Sequence, residues 1–191
     1  MDFTQMKADA SNYSGKTDVE EARKIILGSY AEGVRDFSPT EFPREYFPKT
    51  VDSALDFGCG LGRNLPSIKK ISGVVDGYDF PNMVDMAGET CARKLYTDWG
   101  ECRKNKYGVI VSFIVIEHIQ PEYLVEYLKD FAIMSNYFYF DGRTWIDGKK
   151  ELVLPYILKN FKRIKMNKTP DEVMTRGFED DMTFRGLFKS R

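Results

Sequence analysis

Residues 54–62 read Ala54-Leu55-Asp56-Phe57-Gly58-Cys59-Gly60-Leu61-Gly62. A short apolar run carries one acid, Asp56, and then meets three glycines at alternate positions. An apolar run bounded by glycines reads as a buried strand that ends in a turn. Glycine lets a chain turn tightly, and without a Cβ its backbone can come close to a ligand. The residues beyond the loop, Arg63 through Ile71, are suited to start a helix. A strand, a glycine turn and a helix form the ligand-side crevice of a doubly wound α/β fold.

The flanking sequence repeats the same alternation. Val19, Ala22, Ile25, Ile26 and Tyr30 recur at helical spacing, predicting a helix over 18–36, with Thr17 or Asp18 as its cap and Glu20 and Glu21 in its first turn. Pro39, Pro43 and Pro48 make 37–50 an irregular connection. Strands are then expected at 53–57, 73–78, 94–96, 107–114 and 136–141, with helices at 62–71, 82–90, 121–134 and 150–160 between or after them. Strands separated by helices of this length predict a parallel sheet covered on both faces. The candidate strands 163–167 and 182–188 have no such helix between them, and an antiparallel pair suits them better.

Bulk properties set the class. The chain has 191 residues, enough for one α/β domain, and 42% of them are hydrophobic, as in a globular protein. The 28 basic and 29 acidic residues nearly cancel, without the global basic excess usual for a protein that lives on nucleic-acid backbone. Cys59, Cys91 and Cys102 show neither a pairing framework nor a CxxC zinc spacing, a usage that suits a reducing cytoplasmic setting and no metal site. The polar start MDFTQMKADASNYSGK has no apolar core of a secretory leader, and the longest apolar run, Val109 to Ile116, is too short to span a membrane.

Two further acids follow the glycine loop. Asp79 closes the second strand 21 residues beyond Gly58, where a carboxylate can accept hydrogen bonds from both hydroxyls of a ribose. Asp98, in Leu95-Tyr96-Thr97-Asp98-Trp99, follows the third strand, where it and the Trp99 backbone N–H can read the edge of an adenine. The fourth strand then runs through Ser112 and Phe113 to Glu117-His118-Ile119. This order resembles the class I, Rossmann-like S-adenosylmethionine-dependent methyltransferases, whose first motif is D-x-G-x-G-x-G, over about residues 52–130.

The resemblance implies a seven-stranded, mostly parallel sheet with helices on both faces and an antiparallel last pair. It implies one domain over 1–191, with 1–50 as an N-terminal helical lid that includes Tyr13 and Tyr30. The implied cofactor is S-adenosyl-L-methionine, with S-adenosyl-L-homocysteine as product. Asp56 would hold the methionine amino group, and Gly58, Cys59, Gly60 and Gly62 would meet the methionine portion and ribose. Asp79 would bind the ribose hydroxyls, Phe80 and Met83 would pack on the adenine, and Asp98 and Trp99 would fix its polar edge. Ser112 and Phe113 would face the methyl group to be transferred.

Each motif also has a plainer reading. Cys59 suits a small turn filler better than a nucleophile. Asp98-Trp99 would serve as a polar turn with a half-buried indole, and Glu117 as a support for the following helix. His118, the only histidine, is the candidate general base, or else orders the loop or lines the cofactor. Eight basic residues (Arg143, Lys149, Lys150, Lys159, Lys162, Arg163, Lys165, Lys168) face two acids, Asp147 and Glu151, over 143–168. The stretch reads as a solvated helix face and strand edge, or as a patch for phosphate.

An NAD-type reading is disfavoured, because the sixth residue of a dinucleotide fingerprint would be Arg63 or Leu65 rather than Gly or Ala. No P-loop lysine follows the glycines, and neither a D/N/S-P-P-aromatic segment nor a Pro-Cys pair of nucleic-acid base methyltransferases is present. The expected function is therefore methyl transfer to a small-molecule O, N or C acceptor. A tRNA or other RNA methyltransferase, and a non-catalytic SAM-binding regulator, are the alternatives.

Overall fold

β1 (Val51–Phe57) lies in the interior of a seven-stranded sheet, hydrogen-bonded on both edges, to β2 (Ser72–Tyr78) and to β4 (Tyr107–Phe113), both parallel to it. β3 (Leu95–Tyr96) extends the sheet beyond β2, and β5 (Ser135–Gly142) lies parallel beside β4. β7 (Phe184–Ser190) then runs antiparallel between β5 and the edge strand β6 (Phe161–Met166). The strand order is β3-β2-β1-β4-β5-β7-β6. The structure, a computed structural model, describes residues 18–28, 46–47, 50–142, 150–167 and 184–191.

The helices are α1 (Val19–Gly28), α2 (Leu65–Lys69), α3 (Pro81–Ala87), α4 (Trp99–Cys102), α5 (Pro121–Met134) and α6 (Lys150–Asn160). On one face of the sheet Phe57, Ile110, Phe138 and Phe188 meet Ala22 of α1, Trp99 of α4, Leu124, Tyr127 and Phe131 of α5, and Ile157 of α6. On the other, Ala54, Val75, Val109 and Val111 pack on Leu65 and Ile68 of α2. Strands buried on both faces are near-continuously apolar, as parallel strands must be. Order reverses at β1, from which β2 lies to one side and β4 to the other, and a doubly wound sheet opens its ligand crevice at the carboxyl ends of such strands.

The expected doubly wound fold is present, with adjusted boundaries. β1 begins at Val51, whose N–H donates to the Ile71 carbonyl at 2.9 Å. The helix expected over 62–71 is confined to α2, because Gly62–Asn64 are used in turns. The one expected over 82–90 stops at Ala87, where Gly88 takes φ +62°. α4 was not foreseen. The last two strands fall at Phe161–Met166 and Phe184–Ser190 rather than 163–167 and 182–188. Asp18 caps α1, accepting from the Glu21 N–H at 2.7 Å. Residues 29–36 of the expected first helix, Tyr13, Tyr30, Arg143, Asp147, Lys149 and Lys168 lie outside the described residues.

Candidate active site

The glycine loop leaves β1 over the end of β2. The Gly58 and Cys59 N–H groups both donate to the Tyr78 carbonyl, at 2.8 and 3.1 Å, and the Gly62 N–H closes back on the Cys59 carbonyl at 2.9 Å. This winding puts Gly58, Gly60 and Gly62 at φ +80°, +54° and +80°, a region L-residues with a Cβ rarely enter. At Gly58 space is a second constraint, because a Cβ would lie 2.3 Å from Cγ2 of Val115, just beyond β4. Cys59 uses the notch left by Gly77, where an added Cβ would be 2.7 Å from its Sγ. The thiol is buried, and burial first, then the charges of Asp79 and Asp56, push its pKa up, which fits a filler and not a nucleophile.

Asp79 lies against this loop. Its Oδ2 accepts the Gly60 N–H at 2.5 Å and its Oδ1 the Phe80 N–H at 2.6 Å. Burial pushes its carboxyl up to about 6, and the two backbone donors oppose that rise. Each carboxylate oxygen has a second lone pair, so two hydroxyls of a sugar remain acceptable partners. Asp56, 1% exposed, sits one residue before the end of β1, paired in register with Gly77 and Val111. Its Oδ2 is buried with no hydrogen-bond partner among the described residues. Burial, and then the charge of Asp79, raise its carboxyl to about 8. The hydroxyl of Ser112 on β4 is likewise buried and without a partner among the described residues.

The remaining expected residues divide between core and crevice. Phe80 precedes α3 and Met83 is inside it, both buried in the core cluster of that face. Asp98 caps α4, its carboxylate accepting from the Glu101 N–H at 3.3 Å. The indole of Trp99 is not half-buried, as the plainer reading had it. It is fully buried among Phe57, Tyr78, Tyr127 and Phe131, and its Nε1 donates to Asp130 at 2.8 Å. The side chain therefore belongs to the core, leaving its backbone N–H, in the first turn of α4, as the group that faces a ligand question. Phe113, buried, ends β4. His118 closes the one-turn 3-10 segment Ile116–His118, its N–H donating to the Val115 carbonyl at 2.8 Å, with Nε2 buried.

Three features were missed by sequence reasoning. Ile114, directly after Phe113, takes φ +52°, a strained value for a β-branched residue, while its N–H donates to the Asp141 carbonyl at 2.6 Å. Such strain clusters at functional sites. Asp141, at the carboxyl end of β5, forms an ion pair with Arg185 at 3.4 Å. Arg63 is buried immediately after Gly62. Only Arg63 had a local signal, its place in the motif. The other two depend on partners distant in sequence.

The donor set fits S-adenosylmethionine by its chemistry. Asp56 lies at the carboxyl end of β1, and Asp79 and Asp98 follow the carboxyl ends of β2 and β3, with Asp79 bonded to the glycine loop and Asp98 capping α4. Such a set suits a ligand carrying an ammonium, a sulfonium and a ribose diol, and opposes a pyrophosphate.

No family model matches the chain, and no curated protein matches it. Solved structures do. The N-methyltransferase NodS from Bradyrhizobium japonicum, crystallised with S-adenosyl-L-homocysteine, is 12% identical with a TM-score of 0.57, over 74% of this chain and 79% of that one. The magnesium protoporphyrin IX methyltransferase ChlM from Synechocystis, with bound SAM, is 13% identical with a TM-score of 0.55, over 75% and 71%. The plantazolicin methyltransferase BpumL, with SAH, is 18% identical with a TM-score of 0.55, over 78% and 79%. The chain thus has the fold of the SAM-dependent methyltransferases, the class its glycine loop and acids resemble. Among the described residues, no helix is long and apolar enough to cross a membrane.

Proposed function

We propose that this chain is an S-adenosylmethionine-dependent methyltransferase acting on a small-molecule O, N or C acceptor. The observation that carries the reading is the buried Asp56 carboxyl, without a partner at Oδ2 among the described residues, at the strand end that leads into a loop of three positive-φ glycines and within the influence of Asp79. A buried carboxylate oxygen without a donor is costly unless a cationic or hydrogen-bonding ligand completes it. ChlM and BpumL, methyltransferases of the same fold that are named for magnesium protoporphyrin IX and plantazolicin, support a small acceptor.

When bound, S-adenosylmethionine supplies a methyl group already activated by its sulfonium. The chain's own work is then binding, alignment and exclusion of water. Asp56 holds the amino group, Asp79 the ribose diol, and the backbone of Gly58, Cys59, Gly60 and Gly62 admits the methionine portion. Phe80 and Met83 flank the adenine, whose edge meets Asp98 and the Trp99 N–H. Ser112 and Phe113 border the methyl group. His118 takes a proton from an acceptor that must lose one. α1 packs on the core through Ala22.

Calorimetric titration tests this reading. Saturable binding of S-adenosylmethionine, with none for NAD, is expected. Absence of S-adenosylmethionine binding overturns it. Turnover to S-adenosylhomocysteine across an acceptor panel then separates an enzyme from a binding-only protein.

A further inference from the structure

The sheet is electrically divided. Its β1–β3 side presents Asp56, Asp79 and Asp98 at the ligand end. Its β5–β7–β6 side reverses the sign: these three strands hold Lys162, Arg163, Lys165, Arg185 and Lys189 against the single acid Asp141. Only part of that charge lies at the ligand end. β7 is antiparallel to β5, so its beginning meets the end of β5, and Arg185 pairs in register with Asp141, which itself pairs with Phe113 of β4. Directly opposite residues in a sheet point to the same face, so Phe113, Asp141 and Arg185 form one lateral row. β6 brings Lys165 to the neighbouring row, its ammonium 4.8 Å from the ring centroid of Tyr46, which packs edge-on against Tyr139.

Within that row, Arg185 is set up by its neighbours. Its Nε is buried and faces Asp141 Oδ2 at 3.4 Å, while the side chain as a whole is 38% exposed. The side chain is thus partly accessible although its Nε is not. Its backbone is clamped as well: the Arg185 N–H donates to Asn167 Oδ1 at 2.9 Å, and its carbonyl accepts the Asn167 N–H at 3.1 Å. Asp141 is itself tied to the strained Ile114 that follows Phe113. A partly exposed guanidinium with a carboxylate beside its Nε keeps the donors of its terminal fork, which can receive an oxyanion through two parallel hydrogen bonds.

We propose that Arg185, oriented by Asp141, is the acceptor-binding residue of this site, and that the methyl acceptor is a small molecule carrying a carboxylate or phosphate. The proposal rests on the methyltransferase reading above. Charge complementarity argues for it: a net-cationic donor is matched by the acidic half of the crevice, and an anionic acceptor by the basic half. Phe113, Tyr139 and Tyr46 pack as a buried aromatic cluster on the same face of the sheet, a firm support for that row. A polynucleotide fits less well, because the charged residues of β6 form an exposed edge and are not gathered at the crevice.

The full chain is first titrated with S-adenosylhomocysteine, which decides the underlying reading by itself. Inorganic phosphate and acetate are then titrated, in chloride-free buffer, into the complex and into the unliganded protein. Binding is followed by calorimetry and by the NMR resonance of the Arg185 Nε–H. The expected result is saturable binding of at least one anion with a shift of that resonance. A loss of about tenfold or more in Arg185→Gln is expected, a smaller loss in Arg185→Lys, and no change in Lys189→Gln at the far end of β7. Equal anion binding by Arg185→Gln, or an unmoved Arg185 resonance in the wild-type chain, overturns the proposal. So does binding of a single-stranded RNA that survives Arg185→Gln and is lost in the Lys162→Gln, Lys165→Gln double variant.

Discussion

Asp56 and Asp79 are two acids in one buried site, and their ionisation is coupled to folding. Burial raises Asp56 from an ordinary 3.8 to about 8 and Asp79 to about 6. Between the unfolded value and these folded values the native state holds protons that the unfolded chain has released. Stability therefore falls as pH rises through that window. The unliganded protein should lose melting temperature steadily from about pH 4 to pH 8. Asp56→Asn, which removes the buried charge at nearly constant volume, should flatten the slope and raise the melting temperature at pH 8. A wild-type melting curve independent of pH would contradict the assignment. Ligand binding should show the reverse linkage. A cation near Asp56 favours the ionised form, so titrating S-adenosylmethionine near pH 7 should release protons, seen as a buffer-dependent calorimetric enthalpy. Asp79→Ala removes two ribose acceptors and should weaken binding by about tenfold or more, each lost hydrogen bond to a charged group being worth roughly 1.5–3 kcal/mol. Unchanged affinity in that variant would sink the ribose role.

Elements, rather than single residues, decide how the loop is shaped. Gly58→Ala meets two separate penalties. One is a positive φ, costing roughly 1–2 kcal/mol for an L-residue. The other is the overlap with Val115. Denaturant unfolding should show a loss of about 2 kcal/mol or more. The double variant Gly58→Ala, Val115→Ala should recover the steric part and leave the backbone part, a non-additivity that a mutant cycle resolves. The two residues are 57 positions apart, and this explains what was legible. The glycine spacing could be read locally, as could α5, whose limits Pro121 and Met134 match the expectation. The partner that makes glycine necessary at 58 could not be read. Asp98 shows a related ambiguity: a carboxylate before a short helix is favoured both as an adenine contact and as a cap, and here it caps α4. Four residues of helix have too little periodicity to announce themselves. The Trp99 indole, read as half-exposed, is drawn into the core by Asp130 on α5, 31 positions away.

At the scale of the whole molecule, the sheet has to end somewhere, and among the described residues no strand pairs with its β6 edge. Lys162, Arg163, Ile164 and Lys165 are all exposed in a strand whose outer hydrogen-bonding row has no neighbouring strand in this sheet. An open edge is a template for pairing with a second chain, and closely spaced cations are a standard defence, since two such edges repel each other. The basic stretch noticed in the sequence thus has a structural role in the part of it that forms β6, independent of any ligand. Replacing Lys162, Arg163 and Lys165 together with threonine retains β propensity while removing the repulsion. Sedimentation velocity should then show concentration-dependent association in the variant. The wild-type chain, studied in parallel, should associate less at low salt and approach the variant as added salt screens its edge. Identical sedimentation of the two proteins at every salt concentration would mean that charge is not what protects the edge. The anion titrations at Arg185 should be unaffected in either case, because that guanidinium projects from β7 and is held by β5, not by the edge charges.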